Sequence, residues 1–311
     1  MENEFIILYR YHKDFQLVLK RLKLIKHIDP NIPIYGLYGG EASNYDEATK
    51  ILEPYIEDNY LIKVEDGIWK WLHADITYQM WYNDVGKTID FSYIAVLEWD
   101  LLYMETIKNL FPKLNNNELR VSGIIPLNKI AKNWYWSTSD RIRKYETFKE
   151  KVEVFYNIKL EDYAMLGPGL CMPRNFLEDL NNAKLFEAEI SDELKIPVWA
   201  QVFGYKLVSN NFYRTWFSSL ELNFFNSNII DVNPDTVKKE MNKAKGRRAF
   251  HPFRDNDSSL ELKTIYDSSI KKVGHTVNNS NYPVRVIKPY LYKLHCKISD
   301  YKLQKAKSNK K

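Results

Sequence analysis

Glu98 and Asp100 close the segment Tyr93-Ile94-Ala95-Val96-Leu97-Glu98-Trp99-Asp100, in which an apolar, β-rich run ends in two carboxylates spaced acid-x-acid. A run this short, bounded by polar residues, reads as a strand buried on both faces. Carboxylate oxygens at the C-terminal end of such a strand suit a hard divalent cation. A cation there suits a diphosphate, and in open α/β sheets that edge is where ligands sit. The chemistry predicted by these two residues is handling of a nucleotide-activated substrate.

A second acidic cluster, Glu189-Ile190-Ser191-Asp192-Glu193-Leu194, places Asp192 92 residues after Asp100 and opens a helix-like stretch ending near Gly204. Ser-Asp-Glu is also an ordinary helix start, because acids there offset the helix dipole. Pro197-Val198-Trp199 follows in the same unit and points to a site rather than a bare surface helix. Among the histidines, His251 stands in Phe250-His251-Pro252; His73, His275 and His295 are weaker candidates for a site.

These residues need a scaffold, and the hydrophobic pattern supplies one. Phe5–Tyr9, Ile34–Tyr38, Tyr60–Val64 and Phe91–Leu97 read as strands. Between them lie helical patterns over Asp14–Lys26, Tyr45–Ile56 and Trp69–Trp81. Alternation of this kind implies parallel pairing with crossover helices. After Asp100 the rhythm changes. Met104–Phe111 reads as a short helix, Leu119–Ile125 as a strand and Asn133-Trp134-Tyr135-Trp136-Ser137 as an aromatic loop. Gly167-Pro168-Gly169 reads as a turn that no regular element tolerates, and helices are expected at Asn175–Leu180 and Val198–Gly204.

The 311 residues suffice for one large α/β domain or two small ones, the absence of a convincing linker favours one, and the apolar fraction of 45% builds a sizeable core. Net charge is only +5, part of it in the final Tyr301–Lys311, so the near-balanced body argues against a dedicated nucleic-acid binder. That Lys-rich end is expected to be disordered; it can touch anionic lipid, but a solubilising end is the simpler reading. Cys171 and Cys296 show neither metal spacing nor a disulfide framework, which fits a reducing compartment. Phe5-Ile6-Ile7-Leu8 is too short for a signal peptide and is followed by Arg10, and no apolar run reaches a membrane span. The expected location is cytoplasmic, peripheral to a membrane at most.

Taken in order, the α/β half, the acid-x-acid at a strand end, the mixed second half, the acidic helix start and the late histidine resemble the GT-A fold glycosyltransferases, from about Phe5 to Arg254. The resemblance implies a Rossmann-type mixed sheet flanked by helices, a catalytic domain over 1–255 and a C-terminal extension over 256–311. It implies a Mn²⁺ or Mg²⁺ ion held by Asp100, with Glu98 in place of the commoner first Asp and His251 as a further ligand. It implies inversion, with Asp192 as the base ahead of Glu193 and Glu189. The nucleotide is then expected across the ends of the first two strands. Tyr9 or Tyr11 would stack on the base, Arg10 lies beside them, Glu41 would accept from the ribose and Gly39-Gly40 would let the backbone approach. Lys70 would approach the diphosphate. Trp134, Tyr135 and Trp136 would pack on the acceptor sugar, with Gly167-Pro168-Gly169 as a floor.

The resulting expectation is a hexosyl- or pentosyltransferase that moves a sugar from a nucleoside-diphosphate sugar to a hydroxyl of a glycan or glycolipid. One rival is a sugar-phosphate nucleotidyltransferase, which usually opens with a Gly-rich loop that Arg10-Tyr11-His12-Lys13-Asp14 lacks. Another is a non-catalytic carbohydrate-binding or interaction module on the same fold.

Overall fold

The computed structural model describes residues 3–130, 134–216, 218–227, 229–255 and 259–275. Asn133, His295, Cys296 and the basic end at 301–311, all singled out in the sequence, lie outside the described residues. Among the described residues seven strands form one sheet in the order β3-β2-β1-β4-β7-β6-β8. These are β1 (Asn3–Tyr11), β2 (Ile34–Tyr38), β3 (Asp58–Leu61), β4 (Phe91–Glu98), β6 (Glu118–Pro126), β7 (Tyr163–Pro173) and β8 (Lys206–Ser209). β5 (Leu102–Tyr103) and β9 (Ala249–Phe250) make a separate antiparallel pair.

The first four sheet strands are parallel, as the strand–helix alternation requires, and β7 turns the sheet antiparallel. The α/β class and the mixed sheet expected from the sequence are both present. The chain leaves β1 toward β2 and later returns to β4 on its other side. The mouth between β1 and β4 is therefore the switch point where such sheets take ligands.

Alternation along β1 sorts its side chains onto two faces. Phe5, Ile7, Tyr9 and Tyr11 join one core layer, with Val18 and Leu22 of α1 (Phe15–Ile28) and Ala48 and Leu52 of α2 (Tyr45–Leu52). Ile6 and Leu8 join the opposite layer, with Tyr78 and Trp81 of α4 (Ala74–Asp84) and Trp199 of α8 (Asp192–Val202). A third cluster joins α9 (Pro234–Met241) and α10 (Ser259–Val273) to the body, with Val237 and Met241 of the first and Leu262, Ile265 and Tyr266 of the second gathered with Leu24 and Ile28.

Several elements differ from the sequence expectation. The helix expected over Trp69–Trp81 is two, α3 (Gly67–Leu72) and α4, separated at His73. α5 is only Ile107–Leu110, and the helix expected at Asn175–Leu180 is α7 (Arg174–Asn182). α6 (Ser139–Tyr156) was not foreseen, because only Tyr145, Phe148 and Val152 of its 18 residues are buried and its apolar stripe is thin. Gly167-Pro168-Gly169 is not a turn but the irregular middle of β7. The register shifts there, and side chains replace ladder bonds: Ser122 Oγ donates to the Pro168 carbonyl at 2.7 Å and Asn210 Nδ2 to the Gly169 carbonyl at 2.6 Å. Gly169 has φ +89°, which explains its identity.

One buried ion pair anchors the approach to β9. Arg247 meets Glu221 in a two-pronged contact of 2.6 and 2.7 Å, with both side chains buried. Glu221→Leu leaves the guanidinium buried without its counter-charge and is expected to destabilise the fold by about 3–5 kcal/mol. Urea unfolding of the two proteins measures this, and a change under 1 kcal/mol, roughly the worth of an exposed pair, would refute it.

Candidate active site

Arg10 and Glu98 are register partners at the ends of β1 and β4. Both fall on the face of the sheet that carries α4 and α8. Arg10 Nη1 donates to Glu98 Oε1 at 3.2 Å and to Tyr78 Oη at 3.1 Å, and lies 3.7 Å from Asp192 Oδ2. Burial pushes the Glu98 carboxyl above its usual range, against the pull of Arg10. Asp192 is likewise raised by burial, with Arg10 opposing.

Beyond Glu98 the chain turns, with Leu101 N–H donating to the Glu98 carbonyl at 2.9 Å, and this brings Asp100 beneath the mouth. Asp100 is 3% exposed. Its Oδ2 accepts from Arg254 Nε and Nη2 at 3.1 and 2.9 Å, while its Oδ1 lies 3.4 Å from His251 Nε2. Burial would raise the Asp100 carboxyl, but His251 and Arg254 outweigh it and hold it below its usual range.

His251 is 1% exposed, and its Nδ1 lies 2.6 Å from the Asn226 carbonyl. A carbonyl only accepts, so Nδ1 carries the proton, and in the neutral ring Nε2 presents a lone pair. That lone pair faces a carboxylate, and Nε2 has no hydrogen-bond partner. Two acceptors buried face to face repel unless a positive charge lies between them, either a second ring proton or a metal ion. Burial alone would lower the His251 pKa, yet Asp100 raises it overall. One ligand atom each from Glu98, Asp100 and His251 lie within 4.8 Å of one another. Two carboxylates and an imidazole oriented by a backbone carbonyl are a donor set that fits a divalent cation of the Mn²⁺ or Mg²⁺ type.

Above these groups opens a cleft of about 840 Å³. Its walls include Arg10, Tyr11, Gly39, Glu41, Lys70, Glu98 and Asp100, all named from the sequence. Lys70 Nζ donates to the Gly40 carbonyl at 2.8 Å. A Cβ on Gly40 would collide with the Tyr38 hydroxyl and the His12 carbonyl, so packing demands that glycine. A Cβ on Gly39 would meet nothing nearer than 3.8 Å, and its nearest neighbours, Ile62 and Lys70, are themselves cleft residues.

The structure separates other residues from this cleft. Tyr9 is a core residue, its ring beneath α1 and its hydroxyl 3.5 Å from the Trp99 carbonyl, so it cannot stack on a base. Tyr11 borders the cleft, but its ring packs on Phe15 and Tyr38 and its hydroxyl donates to Asn59 at 3.0 Å. Strand alternation is the reason in both cases: odd positions of β1 face α1. Glu189 is exposed and paired with Lys144 at 2.6 Å, away from the cluster. His73 accompanies Trp69, and His275 contacts Glu105 at 2.7 Å, both apart from the metal-ligand group. Trp134 is buried edge-on to Trp216.

Asp192 and Glu193 start α8, whose residues Asp192 through Ala200 are all buried. Ser191 caps the helix by accepting from the Glu193 amide at 3.1 Å and donates its hydroxyl to Asp192 Oδ1 at 3.0 Å. Glu193 Oε1 accepts from the Gly167 amide at 2.9 Å. Burial, reinforced by the Asp192 charge, pushes the Glu193 pKa up to about 8. Below them Lys195 and Asp75 form a fully buried pair at 2.8 Å, and Trp199 Nε1 donates to the same Asp75 at 2.9 Å.

Sequence reasoning missed three contributors. Trp99, the middle residue of the acid-x-acid, lines the cleft with Lys13 over its ring at 5.1 Å. Arg254 belongs to the basic run that precedes α10, but nothing in its spacing tied it to Asp100. Tyr78 sat unmarked inside an apolar helix pattern.

No family model matches the chain, and no curated protein does. Among solved structures it is similar to the galactosyltransferase LgtC in complex with donor and acceptor sugar analogs, at 11% identity over 84% of this chain and 95% of that one, TM-score 0.40. It is similar to core-mannan synthase A from Aspergillus fumigatus in its Mn/GDP form, at 10% identity over 67% and 72%, TM-score 0.35. It is also similar to a cytidylyltransferase from Leptospira borgpetersenii serovar Hardjo-bovis, at 11% identity over 91% and 99%, TM-score 0.38.

Proposed function

We propose that this chain is a metal-dependent, inverting glycosyltransferase that moves a sugar from a nucleoside-diphosphate sugar to a hydroxyl of a glycan or glycolipid. The observation that carries the reading is the buried encounter of His251 Nε2 with Asp100 Oδ1, 3.4 Å apart beneath a cleft at the sheet's switch point. Glu98, Asp100 and His251 would hold Mn²⁺ or Mg²⁺, which when bound supplies positive charge against the departing diphosphate. Around it Arg10, Lys13, Lys70 and Arg254 give the same cleft a cationic lining that suits phosphate oxygens. Leu37 and Ile62 give it an apolar floor, and Trp99 an aromatic face for the base or ribose. Asp192, held rigidly at the start of a buried helix, is the assigned base, with Glu193 beside it. The proposed location is cytoplasmic, peripheral to a membrane at most. Among the described residues no helix is long and apolar enough to cross a membrane.

The test is a thermal-shift screen of nucleoside diphosphates and their sugars with and without Mn²⁺, since a ligand that prefers the folded state raises the midpoint. A metal-dependent rise with at least one nucleotide, followed by release of nucleoside diphosphate from its sugar, is expected. No rise with any of them, or release of pyrophosphate in place of nucleoside diphosphate, overturns the reading.

Gly39 gives a narrower check. Gly39→Val adds branched carbons into the cleft without a backbone conflict, and loss of about 1–3 kcal/mol of nucleotide affinity, roughly tenfold or more, is expected. Calorimetric titration of the best nucleotide in Mn²⁺ measures it, and undiminished affinity would place the nucleotide elsewhere.

A further inference from the structure

Large apolar side chains that water reaches are few among the described residues, and three of them gather beside the cleft. Ile68 is 68% exposed, Trp71 54% and Tyr135 57%. Ile68 and Trp71 are one helical turn apart on α3, so they share a face. The Trp71 ring lies 5.2 Å from Trp136, and Tyr135 meets Trp136 edge-on at 5.0 Å. Arg141 stacks over Tyr135 at 3.8 Å and fixes that ring.

This aromatic shelf connects the two halves of the proposed chemistry. Trp71 lines the cleft together with Gly67 and Lys70. Trp136, buried behind Trp71, neighbours Glu193 and lowers the pKa of that carboxyl against the larger effect of burial. The shelf therefore runs from the nucleotide side to the acid pair at the start of α8, which is the path an attacking hydroxyl must take.

We propose that Trp71 and Tyr135, both packed on the buried Trp136, form the subsite for a pyranose ring of the acceptor glycan, a proposal that rests on the glycosyltransferase reading above. Flat rings match the C–H face of a pyranose, and water or nearby charges keep its hydroxyls satisfied. The shelf is aromatic rather than aliphatic. Polar groups border it: Arg141, Lys70, and Glu187, which accepts from Trp69 Nε1 at 3.3 Å. That mixture favours a polyhydroxylated ring over an acyl chain.

Saturation-transfer NMR of the full chain tests the subsite, with methyl glucoside, methyl galactoside, methyl mannoside, cellobiose and maltose as probes at millimolar concentration. At least one probe is expected to receive saturation mainly on the C–H groups of one ring face. Its dissociation constant is expected to rise tenfold or more in both Trp71→Ala and Tyr135→Ala, and to return within about threefold of wild type in Trp71→Tyr and Tyr135→Phe, which keep a flat ring. That rescue separates loss of stacking from loss of fold. Absence of saturation for every probe overturns the proposal, as does affinity unchanged in both alanine variants. Concentration-dependent dimerisation abolished by Tyr135→Ala, without sugar contact, would make the shelf a self-interface and also overturns it. Nucleoside diphosphate with Mn²⁺ is titrated into the wild-type chain in parallel. Nucleotide binding without sugar contact refutes the shelf alone, whereas sugar contact without nucleotide binding upholds the shelf and removes the transfer reading.

Discussion

Asp100→Asn is expected to abolish Mn²⁺-dependent nucleoside-diphosphate binding and turnover while leaving the fold in place. The substitution keeps the size of the side chain and one acceptor oxygen for Arg254, which also retains its contact of 3.1 Å with Asp231. What it removes is the negative charge that Oδ1 turns toward His251 and Oδ2 toward Arg254. Loss of a charged contact is worth about 1.5–3 kcal/mol. A carboxylate bonded directly to a divalent cation lies at or above the top of that range, so a fall in affinity of roughly a hundredfold or more follows. Calorimetry with nucleotide and Mn²⁺ reads binding, and release of nucleoside diphosphate reads turnover. Wild-type protein stripped with a chelator should show the same double loss, reversed by adding Mn²⁺. Metal-dependent affinity that survives in Asp100→Asn would remove Asp100 from the metal and with it the main support for the proposed function.

Asp192→Asn is expected to keep nucleotide-sugar binding and to lower sugar transfer by about two orders of magnitude or more, the usual worth of a positioned general base. Asn keeps the shape and accepts the Ser191 hydroxyl as Asp does, so the helix start survives. Basicity goes. The environment suits that role: burial raises the Asp192 carboxyl above its solution range, so the ionised form is a stronger base, while Arg10 at 3.7 Å keeps that ionised form populated. Glu193→Gln is the paired control. With its pKa at about 8, Glu193 is largely protonated at neutral pH and is less suited to accept a proton. A dead Glu193→Gln with an active Asp192→Asn would exchange the two assignments. Activity in both would dismiss the acidic helix start as a base. The anomeric configuration of the product, read by proton NMR, decides inversion independently of either variant.

The parallel half of the sheet was legible in the sequence because each strand there is a short apolar run separated from the next by a helix of clear period. The acid-tipped strand was legible for the same reason: Glu98 and Asp100 break a run that nothing else interrupts. What periodicity could not reveal was which way a strand-end residue points when aromatic and charged neighbours alternate. Tyr9, Arg10 and Tyr11 read alike as candidates, yet only Arg10 has the parity that turns its side chain toward α8. β7 was hidden because Gly167-Pro168-Gly169 fails every local rule for a strand. Its backbone groups are satisfied by Ser122, Asn210 and Glu193, residues 26 to 46 positions away in the chain. Arg254 was invisible for a related reason, since its partnership with Asp100 spans 154 positions. Glu189 shared a motif with Asp192 but precedes the helix, and three residues are enough to move it from the interior to solvent.

The short β5–β9 pair carries a consequence for how ligand occupancy reaches the rest of the chain. Backbone bonds from Met104 to Arg248 and from Phe253 to Asp100 fasten the strand that delivers His251 to the turn just past the acid-tipped strand. The same segment packs on α10 through a cluster that contains Phe250 and Phe253. Any partial opening that frees this segment also withdraws the imidazole from its carboxylate partner. An ion or nucleotide that engages His251 therefore adds its binding free energy to the work of that opening. α10, packed on Phe250 and Phe253, borders the segment whose opening such a ligand would oppose.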